Sequence, residues 1–327
     1  MSRFRILSGD DVRALLPMDD CIALMGATLA ALSAGEALAP LRSVMGLPGT
    51  GGRLGVMPGA VAGAGFGAKL LSLFPDNPRN GLSSHLGVVL LFEPVHGVPV
   101  GLVDAAAVTA IRTAAVSGLA TRLLANPDAG HLAILGSGEQ AASHLQAMAC
   151  ARPLRRVRVW SRSADHARAF VEREAAGLGA PLEVAETPAQ AVFGADLICT
   201  CTASSEPILH RRDVAQGAHV NAVGASTARS AEIDESLLLA SRFFVDLRAS
   251  AEAEAGEYLQ ARAKGSIGAD HIVGELGEVV SGAVEGRRSA GEITLFKSLG
   301  VAPEDIAVAS FVLERAEAAG RGVVAEL

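Results

Sequence analysis

His131-Leu-Ala-Ile-Leu-Gly-Ser-Gly-Glu-Gln-Ala141 is the stretch that decides the fold. Its first five residues are a short apolar run suited to a buried parallel strand. Gly136, Ser137 and Gly138 predict a tight turn, and Glu139, Gln140 and Ala141 open a helical stretch to about Ala151. In Gly136-x-Gly138-x-x-Ala141 each small residue has a physical reason. Gly136 permits the turn, Gly138 lets the backbone approach a pyrophosphate, and Ala141 allows close packing of helix on strand. The helix N-terminus adds free N–H groups and the positive end of its dipole. A glycine-rich turn in an ordinary α/β fold is the plainer alternative; the strand–turn–helix–strand setting favours a dinucleotide site.

Downstream, Arg156-Val-Arg-Val-Trp160 reads as a second strand and 165–176 as a helix. Further strand candidates lie at 182–184, 197–202, 220–223 and 243–246, with helical segments between them. Strands alternating with helices predict a doubly wound parallel sheet. The second strand ends in Trp160-Ser161-Arg162-Ser163, with no carboxylate before Asp165. An NAD site usually carries an acid there for the ribose hydroxyls. A guanidinium flanked by two serines suits a 2′-phosphate, through forked, charge-assisted bonds. NADP(H) is therefore the preferred cofactor, with NAD(H) possible.

Upstream, residues 4–35 read as a short strand followed by helices, with Ser8 and Asp11 spaced as an acidic capping box and Pro17 placed to open a second helix. Between 42 and 104 Gly and Pro recur among β-type segments such as 88–92 and 98–103, which predicts a curved sheet with hairpins. Residues 105–124 look helical, and 303–319 read as one last helix.

The chain has 327 residues and a formal net charge of −7, with no basic run, which argues against nucleic-acid binding. No uncharged stretch approaches the roughly 20 apolar residues of a membrane span. The N-terminus turns acidic at Asp10, too early for a signal peptide. The four cysteines, Cys21, Cys150, Cys199 and Cys201, have no C-x-x-C spacing or histidine cluster, so no metal site is expected and a reducing, cytoplasmic setting is. His85 and His219 stand beside sheet segments, in packing or cofactor-adjacent roles.

Only three of the 28 basic residues are lysines: Lys69, Lys264 and Lys297. Lys69 is isolated in Gly63-Ala-Gly-Phe-Gly-Ala-Lys69-Leu-Leu-Ser-Leu-Phe74. Buried there, desolvation lowers its pKa and makes it a usable proton donor; on a strand's outer face it would be an ordinary surface lysine. Arg112 is similarly isolated in Thr109-Ala-Ile-Arg112-Thr113, where a snorkelling helix arginine is the plainer reading. With Arg42, these residues can converge into a local cationic cluster for a small anion such as a carboxylate. Asp305, in the first turn of the last helix, either complements the helix dipole or serves the site.

These segments resemble the ornithine cyclodeaminase/mu-crystallin family. The resemblance rests on Gly67-Ala-Lys69, Thr109-Ala-Ile-Arg112-Thr113-Ala-Ala, Gly136-Ser-Gly-Glu-Gln-Ala141, Gly217-Ala-His-Val-Asn-Ala-Val-Gly224, Glu275-Leu-Gly-Glu-Val-Val280 and Thr294-Leu-Phe-Lys-Ser-Leu-Gly300. It implies a Rossmann NAD(P)-binding domain over 119–303 and an α+β substrate-binding and dimerisation domain over 1–118 with 304–327, in a homodimer. It further implies hydride chemistry on small amino or imino acids. By position, Arg42, Lys69 and Arg112 would hold the substrate carboxylate. Thr113, the turn 136–141, Ser161, Arg162, Ser163, Thr202, Val223, Gly224 and Lys297 would serve the cofactor.

One departure separates branches of the family. Cyclodeaminases and alanine dehydrogenases of the family carry an aspartate after the Val-Gly pair, where this chain has Ser226. A hydroxyl is a poor general base without a helper, though it can orient a water or hydrogen-bond an imine nitrogen. The serine version resembles the mu-crystallin and ketimine-reductase branch, with Lys69 and Ser226 as catalytic candidates. The implied activity is reduction of 1-pyrroline-2-carboxylate or 1-piperideine-2-carboxylate to proline or pipecolate. Cyclodeaminase or amino-acid dehydrogenase activity, and an NADP-dependent binding protein with little turnover, are the alternatives.

Overall fold

The computed structural model describes residues 3–81, 83 and 85–326. The chain divides into two compact units, residues 1–112 with 300–327 and residues 113–299. The family resemblance places these borders at 118/119 and 303/304. The observed borders are 112/113, earlier in the same helix Ala105–Leu124, and 299/300, just ahead of the helix Ala302–Ala319.

The first unit is built on an eight-stranded sheet. Its strands run in the order Val323–Glu326, Arg3–Leu7, Pro99–Asp104, His85–Phe92, Gly65–Leu73, Arg53–Val61 and Ala37–Leu38, with Ser43–Gly46 also paired to Arg53–Val61. Neighbours are antiparallel except Arg3–Leu7 and Pro99–Asp104. The helix Gly9–Leu15 opens on the expected capping box: Asp11 N–H donates to Ser8 Oγ at 3.3 Å, and Ser8 N–H donates to the Asp11 carboxylate at 3.1 Å. Helix Met18–Ser33 follows Pro17. Helix Ala302–Ala319 lies on the sheet, and Gly59 makes room for its first turn: a Cβ there would sit 2.8 Å from the Ala302 methyl.

The second unit holds an eight-stranded, all-parallel sheet. From His131–Leu135 it extends one way through Arg156–Trp160 to Leu182–Val184. The other way it passes through Leu197–Thr200, His219–Ala222, Ile293–Lys297 and Ser241–Val245 to Ile272–Glu275. The strand order therefore reverses between His131–Leu135 and Leu197–Thr200. That switch opens a crevice at the carboxyl ends of these strands, where open α/β sheets bind their ligands. Phe243, Phe244, Tyr258 and Phe296 are fully buried around the far strands. Side chains of this kind each contribute about 1.5–3 kcal/mol on burial.

Four strands went unread from sequence, the two-residue Ala37–Leu38 among them. Ile293–Lys297 is buried at every position, so it lacks the alternation that marks a half-exposed strand. Ile272–Glu275 and Val323–Glu326 have four residues each and lie at sheet edges. Among the described residues no single helix is long and apolar enough to cross a membrane.

Candidate active site

In the first unit the antiparallel sheet carries Lys69 inward, opposite Met57 on one neighbouring strand and Val89 on the other. Only 1% of Lys69 is exposed. Its ammonium donates to Asp305 Oδ1 at 2.9 Å, lies 2.8 Å from Asp305 Oδ2, and reaches Thr109 Oγ1 at 3.4 Å. Arg112, from the helix Ala105–Leu124, donates through Nε to Asp305 Oδ1 at 3.0 Å and through Nη1 to Glu304 Oε2 at 2.6 Å. Both carboxylates are fully buried in the first turn of Ala302–Ala319, where the helix dipole also favours negative charge. Buried charges persist only when paired in this way. Burial, and then the nearby Arg112 charge, push the Lys69 pKa down to about 8, while Asp305 and Glu304 oppose the fall.

Gly300 joins the remaining cation to this cluster. Its carbonyl accepts from Arg42 Nη2 at 3.2 Å. Its φ of +76° is one that L side chains rarely adopt, and a Cβ there would overlap the Arg112 guanidinium. One glycine thus holds one arginine and leaves space for the other. The structure brings Arg42, Lys69 and Arg112 together, with the carboxylates of Glu304 and Asp305 among them. Lys69 and Arg112 each face a carboxylate, so the site is close to charge-balanced. Of the two readings of Asp305, its bonds to both cations support the site role. Glu304 was missed; Pro303-Glu304-Asp305 at a buried helix start is the signal that points to it.

In the second unit Gly136 takes φ +126°, and its N–H donates to the Trp160 carbonyl at 2.8 Å. A Cβ at Gly136 would collide with the Cys201 carbonyl, so glycine is required where the turn crosses the switch. Gly138 is the N-cap of helix Glu139–Ala151, and no atom lies within 4 Å of where its Cβ would be. Ala141 is fully buried. An open approach over a helix N-terminus fits a dinucleotide pyrophosphate. Ser137 Oγ donates to Ser161 Oγ at 2.9 Å and ties the turn to the end of the second strand. Arg162 is exposed just beyond. Ser163 also has a structural role, since its hydroxyl accepts from His166 N–H at 3.3 Å and caps the helix Ala164–Glu174. Thr113 is buried in the helix Ala105–Leu124.

Across the switch, Thr202, Val223 and Gly224 lie just past the ends of Leu197–Thr200 and His219–Ala222, and Ser226 is exposed in the same loop as Gly224. Lys297 ends the strand Ile293–Lys297 next to this loop. It is buried, and its ammonium donates to the Ala225 carbonyl at 2.5 Å and to Glu257 Oε1 at 3.1 Å. It braces the loop from within. His219 is a packing residue: it bonds Thr294 Oγ1 and Asn221 Oδ1, and burial holds its pKa down to about 3. The side chain of His85 lies outside those described. Among the described residues no His/Cys/Asp/Glu group could hold a metal ion.

Known proteins are similar to this chain over most of its length. Ketimine reductase mu-crystallin of Rattus norvegicus is 38% identical over 281 residues, 86% of each chain. Delta(1)-pyrroline-2-carboxylate reductase of Thermococcus litoralis, solved with NADH and L-proline, matches with a TM-score of 0.94 at 32% identity, over 98% of this chain and 99% of that one. An archaeal alanine dehydrogenase dimer with bound NAD matches with a TM-score of 0.92 at 29% identity, over 99% of each chain. The sequence profile that matches residues 4–320 spans the buried ion cluster and the dinucleotide turn alike, and on that ground the chain belongs to the ornithine cyclodeaminase/mu-crystallin family.

Proposed function

We propose that the protein reduces small cyclic ketimine carboxylates, 1-pyrroline-2-carboxylate or 1-piperideine-2-carboxylate, to proline or pipecolate. The observation that carries this reading is the buried Lys69, bonded to Asp305 beside Arg112, with burial lowering its pKa to about 8. Arg42 and Arg112 receive the substrate carboxylate through charge-assisted bonds. Lys69 gives a proton to the imine nitrogen, and Asp305 keeps its ammonium aimed. A reduced nicotinamide, when bound, supplies the hydride that the imine carbon accepts, so one C=N double bond becomes CH–NH. Ser226, a hydroxyl in place of a carboxylate, weighs against chemistry that needs a strong base at an amino group.

The same reading includes three further proposals. NADPH is preferred over NADH, supported by the exposed Arg162 and by the lack of an acid from Trp160 to Ser163. A homodimer is supported by the half-exposed apolar sheet face around Phe66 and Leu86, each 41% exposed, and by the dimeric alanine dehydrogenase neighbour. A reducing cytoplasmic setting suits the four free cysteines.

The test is NADPH and NADH oxidation against a panel of cyclic imino acids, with pyruvate plus ammonia and ornithine plus NAD⁺ as controls. Fastest turnover of a cyclic imine, with higher kcat/KM for NADPH, is the expected result. Ammonia release from ornithine would replace this reading with cyclodeamination, and faster turnover of pyruvate and ammonia with amino-acid dehydrogenation.

The pH dependence follows from Lys69. Its ammonium is the competent proton donor and is lost as pH rises through about 8. The kcat/KM for imine reduction should therefore fall about tenfold per pH unit above that value. Asp305 raises the Lys69 pKa, so Asp305→Asn should move this limb to lower pH. A profile flat to pH 10, at about ten percent precision, would remove Lys69 as donor.

A further inference from the structure

Glu232 is fully buried and was not singled out from sequence. Its Oε1 accepts from Thr202 N–H at 2.8 Å and from Thr202 Oγ1 at 2.6 Å. Its Oε2 accepts from Thr200 Oγ1 at 2.7 Å, Gly224 N–H at 2.6 Å and Ala225 N–H at 3.1 Å. One carboxylate thus links the segment after Leu197–Thr200 to the loop after His219–Ala222. A neighbouring group holds the same loop from its other side. Lys297 bonds the Ala225 carbonyl, and Glu257 Oε1 accepts from both Lys297 and the Glu232 N–H, the latter at 3.2 Å. The Ala225 residue is therefore gripped at its N–H by Glu232 and at its carbonyl by Lys297, and Ser226 follows it directly. Gly224 has no room for a Cβ between the Thr202 carbonyl and Glu232 Oε1, so the two segments approach as closely as backbone allows.

A dinucleotide bound at the switch has its adenosine half on the side of the second strand, over Ser161 and Arg162. Its other half would then fall on the opposite side of the switch, at the segments Glu232 ties together. We propose that Glu232 is the positioning residue for the nicotinamide end of the cofactor, acting by locking the Thr200–Thr202 and Gly224–Ala225 segments into one rigid surface, with Lys297 and Glu257 as its brace. This rests on the dinucleotide reading given above. An amide cannot take its place. Gln at 232 has a single accepting oxygen, and its NH2 would face either the Thr202 or the Gly224 and Ala225 donors.

The test compares two ligands by calorimetry on wild type and Glu232→Gln: NADPH, and 2′,5′-ADP, which fills only the adenosine half. With NADH as the better cofactor, NADH and 5′-AMP replace them. The affinity for 2′,5′-ADP should stay within about twofold, while NADPH affinity and kcat should each fall about tenfold or more, as expected when a reacting group is misplaced by an ångström or so. Should Glu232→Gln fail to fold, Thr200→Val removes one donor and Lys297→Met frees the Ala225 carbonyl; each should give the same split, smaller in size. Equal weakening of both ligands would mark Glu232 as a general structural residue and overturn the proposal, as would no change in either. A wild type that binds NADPH yet reduces no imine overturns the functional reading alone, since the split between ligands is still measured. A wild type that binds neither nucleotide overturns both.

Discussion

Lys69→Met should slow imine reduction by about 10²–10⁴-fold at saturating substrate, the usual contribution of a positioned proton donor. Methionine keeps the length and apolar stem of the lysine, so Met57 and Val89 retain a neighbour and the loss is confined to the ammonium. Asp305 keeps its bond from Arg112 Nε at 3.0 Å, which limits the damage of leaving a buried carboxylate short of a partner. Breaking a buried pair outright costs about 3–5 kcal/mol, so part of that loss should appear in thermal unfolding. The residues proposed to serve the cofactor fall within 113–299, so the affinity for the reduced nicotinamide cofactor should hold. Trp160, the single tryptophan, ends the strand beside the glycine turn, and its fluorescence should report that affinity. A kcat within about threefold of wild type would leave Lys69 as a carboxylate-binding group and nothing more.

The sequence made the second unit more readable than the first site. His131–Leu135, the Gly136 turn and the helix starting at Glu139 all depend on contacts close in the chain, so local pattern sufficed. The same is true of Ser8 and Asp11, three residues apart, and of the helix 105–124. The ion cluster is different. Lys69 meets Asp305 across 236 positions of sequence, and Arg112 meets Glu304 across 192. An acid in a helix's first turn has a sufficient local explanation in the dipole, and nothing nearby tells a dipole partner from a site residue. The isolation of Lys69 and Arg112 among apolar neighbours was the readable half of each pair. Glu232 was hidden for the same reason. In Ser230-Ala-Glu-Ile-Asp234 it looks like an ordinary loop acid, and only its five donors, three of them from Thr200 and Thr202 some thirty positions away, show otherwise. Lys297 shows the same limit: its motif marks it, but its bonds to the Ala225 carbonyl and Glu257 are visible only in the structure.

Gly300→Ala should damage the enzyme differently from Lys69→Met, in KM more than in kcat. The alanine Cβ would overlap the Arg112 guanidinium, and its backbone would have to hold φ +76°. A non-glycine residue held in such a region costs about 1–3 kcal/mol of stability. Relief by backbone movement would carry the Gly300 carbonyl away from Arg42 Nη2, now 3.2 Å distant. Relief by movement of Arg112 would lengthen its bonds to Glu304 and Asp305. Either route spoils a donor for the substrate carboxylate. Hydrogen bonds to charged groups contribute about 1.5–3 kcal/mol, which predicts a rise in KM of about ten- to a hundredfold for one lost contact. Lys69 keeps its own contact with Asp305, so proton transfer, and with it kcat, should fall less than KM rises. Steady-state kinetics with the imine varied at saturating NADPH would read this split, and a KM unchanged from wild type would show that the arginines do not receive the carboxylate at this point.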